Sequence, residues 1–332
     1  MSHPPPPHRG RFAPSPTGGL HLGSALVALV AWLSVRSQGG VYIWRIEDID
    51  GPRVVPGAAE QQMKEARWLG LNWDEGPDIS GPITPYSQSE RSEEYEAALA
   101  TLADAGRLFP CKLSRKDLRK IASAPHGRDG QPPYPKELRP ADLQEDWFEI
   151  HLAAENQDAA LRFLVNDHPV AFNDVVMGEV TENVAETTGD FVLKRRDVVY
   201  AYQLAVVVDD IEMGITEVVR GADLLDSTAR QIQLTEALGG RIPAYAHLPL
   251  ILNENGDKLS KQNEALTLAE LRGAGVSPQA ISGWLAHAVG LADTFQTIHP
   301  RELVDSFVWE RVRTEPIIAP NNLVELLRTL SS

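Results

Sequence analysis

Residues Arg11 to Ser24 read RFAPSPTGGLHLGS, and this stretch decides the fold. It starts as a short apolar strand and breaks at Pro14-Ser15-Pro16-Thr17-Gly18-Gly19. From Leu22 onward the apolar residues Leu22, Leu26, Leu29, Val30 and Leu33 recur at helical spacing until Gly39-Gly40 ends the run. A strand, a glycine-bearing turn and a helix start present free backbone N–H groups to a phosphate. His21 adds a side-chain donor at that point. Gly23, without a side chain, lets a flat base or ribose lie against the backbone. Taken alone, H-L-G-S reads first as a βα turn with a satisfied histidine.

A second stretch changes the balance. Lys258-Leu259-Ser260-Lys261-Gln262 follows an apolar strand and a glycine-containing loop, Asn253 to Asp257. R-F-A-P-S-P-T-G-x-L-H-L-G early and K-L-S-K late, in that order, resemble the two signatures of class I aminoacyl-tRNA synthetases. The wording is similar to the glutamyl branch of that family. Between them, Val41 to Ile46 reads as a strand ending in Glu47-Asp48-Ile49-Asp50. In parallel sheets, ligands bind beyond the carboxyl ends of strands. An acidic loop is the plain reading there, but R-I-E-D-I-D again resembles the glutamyl branch and makes Glu47 the residue that meets the amino acid.

Further along, Pro56 fits the first turn of a helix closed by Gly70, and another helix is expected from Ser89 to Ala105, stopped by Gly106. Ser114 with Asp117 starts a short basic helix, followed by a Pro/Gly-rich loop from Ser123 to Pro140. Strand-like runs follow at Trp147 to Leu152, Leu161 to Val165, Val170 to Val176 and Asp190 to Leu193. The sheet is expected to resume near Val198, with a strand from Ile215 to Val219 ending at Arg220-Gly221. Asp226-Ser227-Thr228 is read as the cap of the next helix. Helices are also expected from Ser277-Pro278 to Val289, from Pro300 and from Asn321. The predicted fold is α/β: a Rossmann-like parallel sheet split by an inserted α+β module and followed by a small helical C-terminal region. The boundaries are a disordered tail at 1–10, catalytic halves at 11–107 and 197–250, the inserted module at 108–196, and the K-L-S-K loop with helices at 251–332.

The phrases Y-Q-L-A-V-V-V-D-D (Tyr202 to Asp210) and V-V-R-G-A-D-L (Val218 to Leu224) resemble those of the glutamyl-Q tRNA(Asp) synthetases, a short subgroup of the glutamyl branch. A core aromatic and a structural ion pair are the plain readings of Tyr202 and Arg220. Arg220 is the stronger candidate, because a planar guanidinium where a strand ends can grip a carboxylate with two bonds. The resemblance implies a glutamate pocket of Arg11, Phe12, Ala13, Pro14, Ser15, Glu47, Tyr202 and Arg220. It likewise implies an ATP site of His21, Gly23, Ser24, Lys258, Ser260 and Lys261, with His21, Lys258 and Lys261 catalytic and Mg2+ accompanying the nucleotide. Many relatives also hold zinc in the inserted module, through C-x-C, a tyrosine and Y-P-x-x-C-R. Here those phrases are Cys111-Lys112-Leu113 and Tyr134-Pro135-Lys136-Glu137-Leu138-Arg139. A structural zinc wants four ligands, mostly Cys and His. With Leu113 and Leu138 at two thiolate positions no zinc is expected, and an apolar contact takes its place. Whether Cys111 or Tyr134 keeps a residual metal role stays open.

Composition bounds the rest. The 332 residues, 43% of them hydrophobic, allow two or three domains with a large core. One cysteine excludes an internal disulfide and suits a reducing cytoplasm. The start, MSHPPPPHRG, lacks a signal peptide's apolar core, no run is long enough for a membrane span, and a monomer is expected. A net charge of −15 excludes a general nucleic-acid coat but not a local tRNA footprint. Candidate basic clusters are Arg115, Lys116, Arg119 and Lys120; Lys194, Arg195 and Arg196; and Arg311 and Arg313. A full activation site on a chain this short implies glutamate transfer to queuosine in the anticodon of tRNA(Asp). A shortened glutamyl-tRNA synthetase charging the 3′ end of tRNA(Glu) is the alternative. A nucleotidylyltransferase would not need Glu47, Tyr202 and Arg220, and a non-catalytic tRNA-binding relative would not need His21, Lys258 and Lys261.

Overall fold

The computed structural model describes residues 7–114, 116–118, 133–153, 158–259 and 266–331. Strand β1 (Arg9–Phe12), helix α1 (Leu22–Ser37) and strand β2 (Val41–Trp44) form the first unit, with Arg9 opposite Val41 and Phe12 opposite Trp44 in parallel register. Helices α2 (Ala58–Trp68) and α3 (Ser92–Asp104) follow. The later strands are β3 (Leu108–Cys111), β4 (Ala160–Phe163), β5 (Val170–Asp174), β6 (Gly178–Glu182), β7 (Phe191–Lys194), β8 (Glu217–Gly221), β9 (Ala244–Leu248), β10 (Ile251–Leu252) and β11 (Ile317–Ile318). The large sheet has the order β2-β1-β8-β9-β5-β6, parallel except for β6, and β3-β4-β7 form a small antiparallel sheet. This is the Rossmann-like core with an inserted α+β module that the sequence predicts.

Strand alternation builds the layers. Phe12, Tyr42, Trp44, Val219 and Leu248 face α1, α2 and the C-terminal helices Pro278–Val289 and Leu323–Ser331. Ile43, Val218 and Tyr245 face the opposite way, toward α3 and the helices Tyr202–Glu212 and Thr228–Ala237. The chain moves from β1 to β2 on one side of β1, and β8 lies on its other side. The sheet therefore splits its connections between β1 and β8, and a crevice opens at their carboxyl ends.

Several local expectations change. Trp147 to Leu152 is not a strand: Trp147–Ala153 is helical. Its alternating pattern reflects exposure, since Ile150 and Leu152 are exposed while Phe148 is buried. No strand of the large sheet starts near Val198, because Tyr202–Glu212 is a helix; the sheet is rejoined earlier, by β5 at Val170, and again by β8 at Glu217. The helix's run Leu204 to Val208 is buried all round, so an apolar stretch rich in valine imitates a core strand. Pro56 precedes the helix, whose N-cap is Gly57. Residues Ala222–Ser227 form a 3₁₀ turn, and the Ser227 side chain makes no capping bond. The helix expected from Pro300 is a 3₁₀ turn, Pro300–Leu303. The hairpin β5–β6 stands at the edge of the large sheet, not in the small one. The loop at 123–140 falls mostly outside the described residues, as do Arg115, Arg119 and Lys120.

Candidate functional site

A cavity of about 770 Å³ fills the crevice. Its walls include every described residue of the two expected pockets: Arg11 to Ser15, His21, Gly23, Ser24, Glu47, Tyr202, Arg220 and Lys258. Ser260 and Lys261 lie outside the described residues.

The turn after β1 forms one wall. Gly18 sits at φ +151°, a conformation that side chains rarely adopt. Helix α2 clamps the turn: Gln62 donates to the Ser15 and Gly18 carbonyls at 3.1 and 2.7 Å, and Glu65 accepts from the Leu20 N–H at 2.6 Å. His21 is the N-cap of α1, its Nδ1 accepting from the Ser24 N–H at 3.1 Å. A neutral ring with Nδ1 as acceptor carries its proton on Nε2, which lies 3.0 Å from Ser24 Oγ. Burial lowers the His21 pKa, partly opposed by Asp223, so the neutral ring prevails at neutral pH. The side-chain donor read from the sequence is thus fixed in direction by the cap itself. Gly23 has a second role besides leaving the backbone open, since a Cβ there would press on the His21 ring at 3.1 Å.

The far wall is a buried charge cluster. Arg45, fully buried, donates to Asp210 at 2.8 Å and to Glu47 at 3.2 Å, and Arg11 donates to Asp210 at 3.1 Å. Burial raises the Asp210 pKa, but Arg11 and Arg45 outweigh it and hold the carboxyl below its ordinary value. Glu47 goes the other way: burial raises its pKa, and Arg45 and Arg11 only partly offset this. A carboxylate left short of positive charge is suited to receive an ammonium group. Burial also raises the Tyr202 pKa, so its phenol stays protonated as a donor. Arg220 is 4% exposed and donates to His247 Nε2 at 2.9 Å, Gln231 Oε1 at 2.6 Å and Thr228 Oγ1 at 2.9 Å. No carboxylate among the described residues pairs with it, so its charge is free to meet an anion. The expectation of a grip on a carboxylate at the end of β8 is therefore compatible with the geometry. Lys258 approaches from the other rim and pairs with Asp223 at 3.2 Å.

Arg45 and Asp210 are members of the charge cluster that the sequence reading passed over. A signal existed: Arg45 sits inside V-Y-I-W-R-I, and Asp209-Asp210 closes a valine run, both charges within apolar stretches. His247, Gln231 and Thr228 carried no such mark.

The expected zinc position is a small apolar cluster. Phe109, Cys111, Leu118 and Tyr134 are buried there, with Leu113, Leu138 and Leu164 packed against them. The Tyr134 hydroxyl donates to the Leu138 carbonyl at 3.1 Å and lies 3.6 Å from Cys111 Sγ. Among the described residues no group of three His, Cys, Asp or Glu side chains could hold a metal ion, and no helix is long and apolar enough to cross a membrane.

Comparison with known proteins places this site in context. Residues 8–318 match the family model of tRNA synthetases class I (E and Q), catalytic domain. The chain is 49% identical over 319 residues to a glutamyl-Q tRNA(Asp) synthetase of Symbiobacterium thermophilum, covering 96% of this chain and 98% of that protein. It is 44% identical over 320 residues to one from Nitratidesulfovibrio vulgaris, again covering 96% and 98%. Among solved structures, a glutamate tRNA ligase from Elizabethkingia meningosepticum in complex with its amino acid superposes with a TM-score of 0.83 at 31% identity, over 96% of this chain and 68% of that one. By these matches the chain belongs to the class I tRNA synthetases of the E and Q type and, within them, to the glutamyl-Q tRNA(Asp) synthetase family.

Proposed function

We propose that the protein activates L-glutamate with ATP, without needing tRNA, and transfers the glutamyl group to queuosine in the anticodon of tRNA(Asp). One observation carries the glutamate reading: a single cavity joins a phosphate-type turn to a buried charge cluster. In that cluster burial of Glu47 outweighs the pull of Arg45 and Arg11, and no carboxylate among the described residues pairs with Arg220. An amino acid with a second carboxylate would complete both. Family membership supports the acceptor.

In the first step a carboxylate oxygen of the α-carboxyl attacks the α-phosphorus of ATP, the bond to the bridging oxygen breaks, and pyrophosphate leaves glutamyl-adenylate. In the second, a hydroxyl of the acceptor attacks the activated carbonyl and AMP leaves. Neither step needs a covalent enzyme intermediate, so positioning and charge stabilisation carry the reaction. Glu47 and Tyr202 would hold the ammonium end, Arg220 a carboxylate, and Arg11 with Phe12 to Ser15 the wall between them. Nε2–H of His21 would donate to a phosphate oxygen, with Gly23 and Ser24 beside the nucleotide. Lys258, with Ser260 and Lys261, would meet the charge that builds on the leaving pyrophosphate. Magnesium would enter with ATP, bound chiefly by phosphate oxygens and water. The segment 108–196 and the region 251–332 would flank a docked anticodon loop. The protein would act as a monomer in the cytoplasm.

Radiolabelled glutamate tests the reading. We expect glutamate-dependent pyrophosphate exchange without tRNA, label on queuosine-containing tRNA(Asp), and none on unmodified tRNA(Asp), whose guanine lacks the diol. Label at the 3′ end of tRNA(Glu), or exchange that requires tRNA(Glu), would overturn it in favour of a shortened glutamyl-tRNA synthetase.

A further inference from the structure

Behind Arg220 lies a fully buried pair with no place in the chemistry above. His247 sits on β9 and Asp174 is the last residue of β5; both side chains are 0% exposed. Nδ1 of His247 lies 2.5 Å from Asp174 Oδ2. The other oxygen, Oδ1, accepts three backbone N–H bonds, from Val176 at 3.0 Å, Met177 at 2.9 Å and His247 at 3.2 Å. This carboxylate therefore cannot rotate without losing three donors. Held there, it accepts a hydrogen bond from Nδ1–H, which keeps the ring proton on Nδ1 and leaves a lone pair on Nε2 of His247. Two donors aim at that lone pair: Nε–H of Arg220 at 2.9 Å and the Thr228 hydroxyl at 3.3 Å. The same Thr228 oxygen accepts from Nη2 of Arg220, and Gln231 accepts from Nη1. The guanidinium is thus held at all three of its nitrogens, and the fixing of Nε depends on which ring nitrogen of His247 carries the proton.

We propose that Asp174 and His247 form a positioning pair for glutamate binding, in which Asp174 sets the His247 tautomer and the tautomer aims Arg220 into the cavity. The inference rests on the glutamate reading given above. Neither residue touches substrate. Their effect passes through the direction of the remaining guanidinium N–H groups, which must point at a substrate carboxylate to form charge-assisted bonds. The ring is neutral in this arrangement, and burial lowers the His247 pKa against the opposing pull of Asp174, which agrees with the geometry.

Asp174→Asn separates positioning from packing. The new amide keeps its oxygen where three N–H donors require an acceptor, so its NH2 faces Nδ1 of His247. That forces the ring proton onto Nε2, where it confronts Nε–H of Arg220. Shape and volume hardly change; only the tautomer inverts. In pyrophosphate exchange we expect the KM for glutamate to rise about tenfold or more, with kcat and the KM for ATP changed by less than about twofold, the signature of lost ground-state binding. An unchanged glutamate KM in the folded variant, or equal losses for glutamate and ATP, would overturn the proposal. Nitrogen NMR of wild-type protein labelled at histidine gives a second test that needs no variant. We expect His247 protonated at Nδ1 and bare at Nε2; the opposite tautomer or an imidazolium at neutral pH would overturn it even if the variant does not fold. Should wild-type protein show no glutamate-dependent exchange, the functional reading fails and the pairing is then decided by the NMR result alone.

Discussion

At the scale of single residues, His21 caps α1, and the phosphate contact proposed for it is a second duty that one substitution can part from the first. Asn is as good an N-cap as any residue, so His21→Asn should keep α1 capped and the fold within about 1 kcal/mol of the parent. It removes the Nε2–H donor, and glutamate-dependent pyrophosphate exchange should fall by about 10²–10³. Near-normal exchange in the folded variant would take His21 out of the mechanism. The same histidine bears on acid sensitivity. His21 and His247 both have folded pKa values below the ordinary 6.5, so between that value and the folded values the unfolded chain binds more protons. Unfolding stability should therefore be flat above about 6.5 and decline as pH falls below it. Asp174 and Asp210, with pKa values below the ordinary 3.8, lose their stabilising charge only in a more acidic range. Urea titrations across these ranges check the order: a loss that begins only near 4 would exclude the histidines as its source.

At the scale of elements, the β3 neighbourhood makes a clear forecast. Cys111, Tyr134, Leu113 and Leu138 meet as an apolar cluster. Chelation should leave the melting temperature unchanged, and metal analysis should find no stoichiometric zinc; one zinc per chain, lost together with stability on chelation, would contradict this. What could be read in advance divides along the same scale. The turn at 14–20 and helix α1 were legible because Pro, Gly and helical periodicity act locally. The cap at Ser277 was legible for the same reason, and its side chain accepts from the Ala280 N–H at 3.2 Å. The helix Tyr202–Glu212 was not, because enclosure on all sides erases the polar face that would betray a helix. Nor was the destination of β5: pairing partners 71 residues apart leave no mark in either strand, as with Asp174 opposite Tyr245. The candidate pocket was visible only in members that line the cavity, since Thr228, Gln231 and His247 are tied to it through partners supplied by the fold.

At the scale of the whole molecule, the net charge of −15 requires that any tRNA footprint be local. Arg195 is half exposed at the cavity rim and already pairs with Asp197 at 2.6 Å, and Arg196 beside it is exposed. Affinity for tRNA(Asp) should fall as salt rises, and replacing both arginines by alanine should flatten the salt dependence by about two phosphate contacts. A slope identical to the parent's would move the footprint elsewhere. The hairpin β5–β6 carries a larger consequence. It lies in sequence between the strands of the small sheet, yet Val175 N–H bonds to the Tyr245 carbonyl at 2.8 Å and Asp174 reaches into the catalytic core. The segment around it is consequently not a cassette. A chain in which the stretch from β3 to β7 is exchanged for that of a relative, or bridged by a linker, would also replace the buried carboxylate behind His247 and Arg220. Grafts meant to retarget the RNA partner should keep residues 170–182 with the core; by the positioning role proposed for Asp174, moving them is expected to raise the KM for glutamate as well as to change the acceptor.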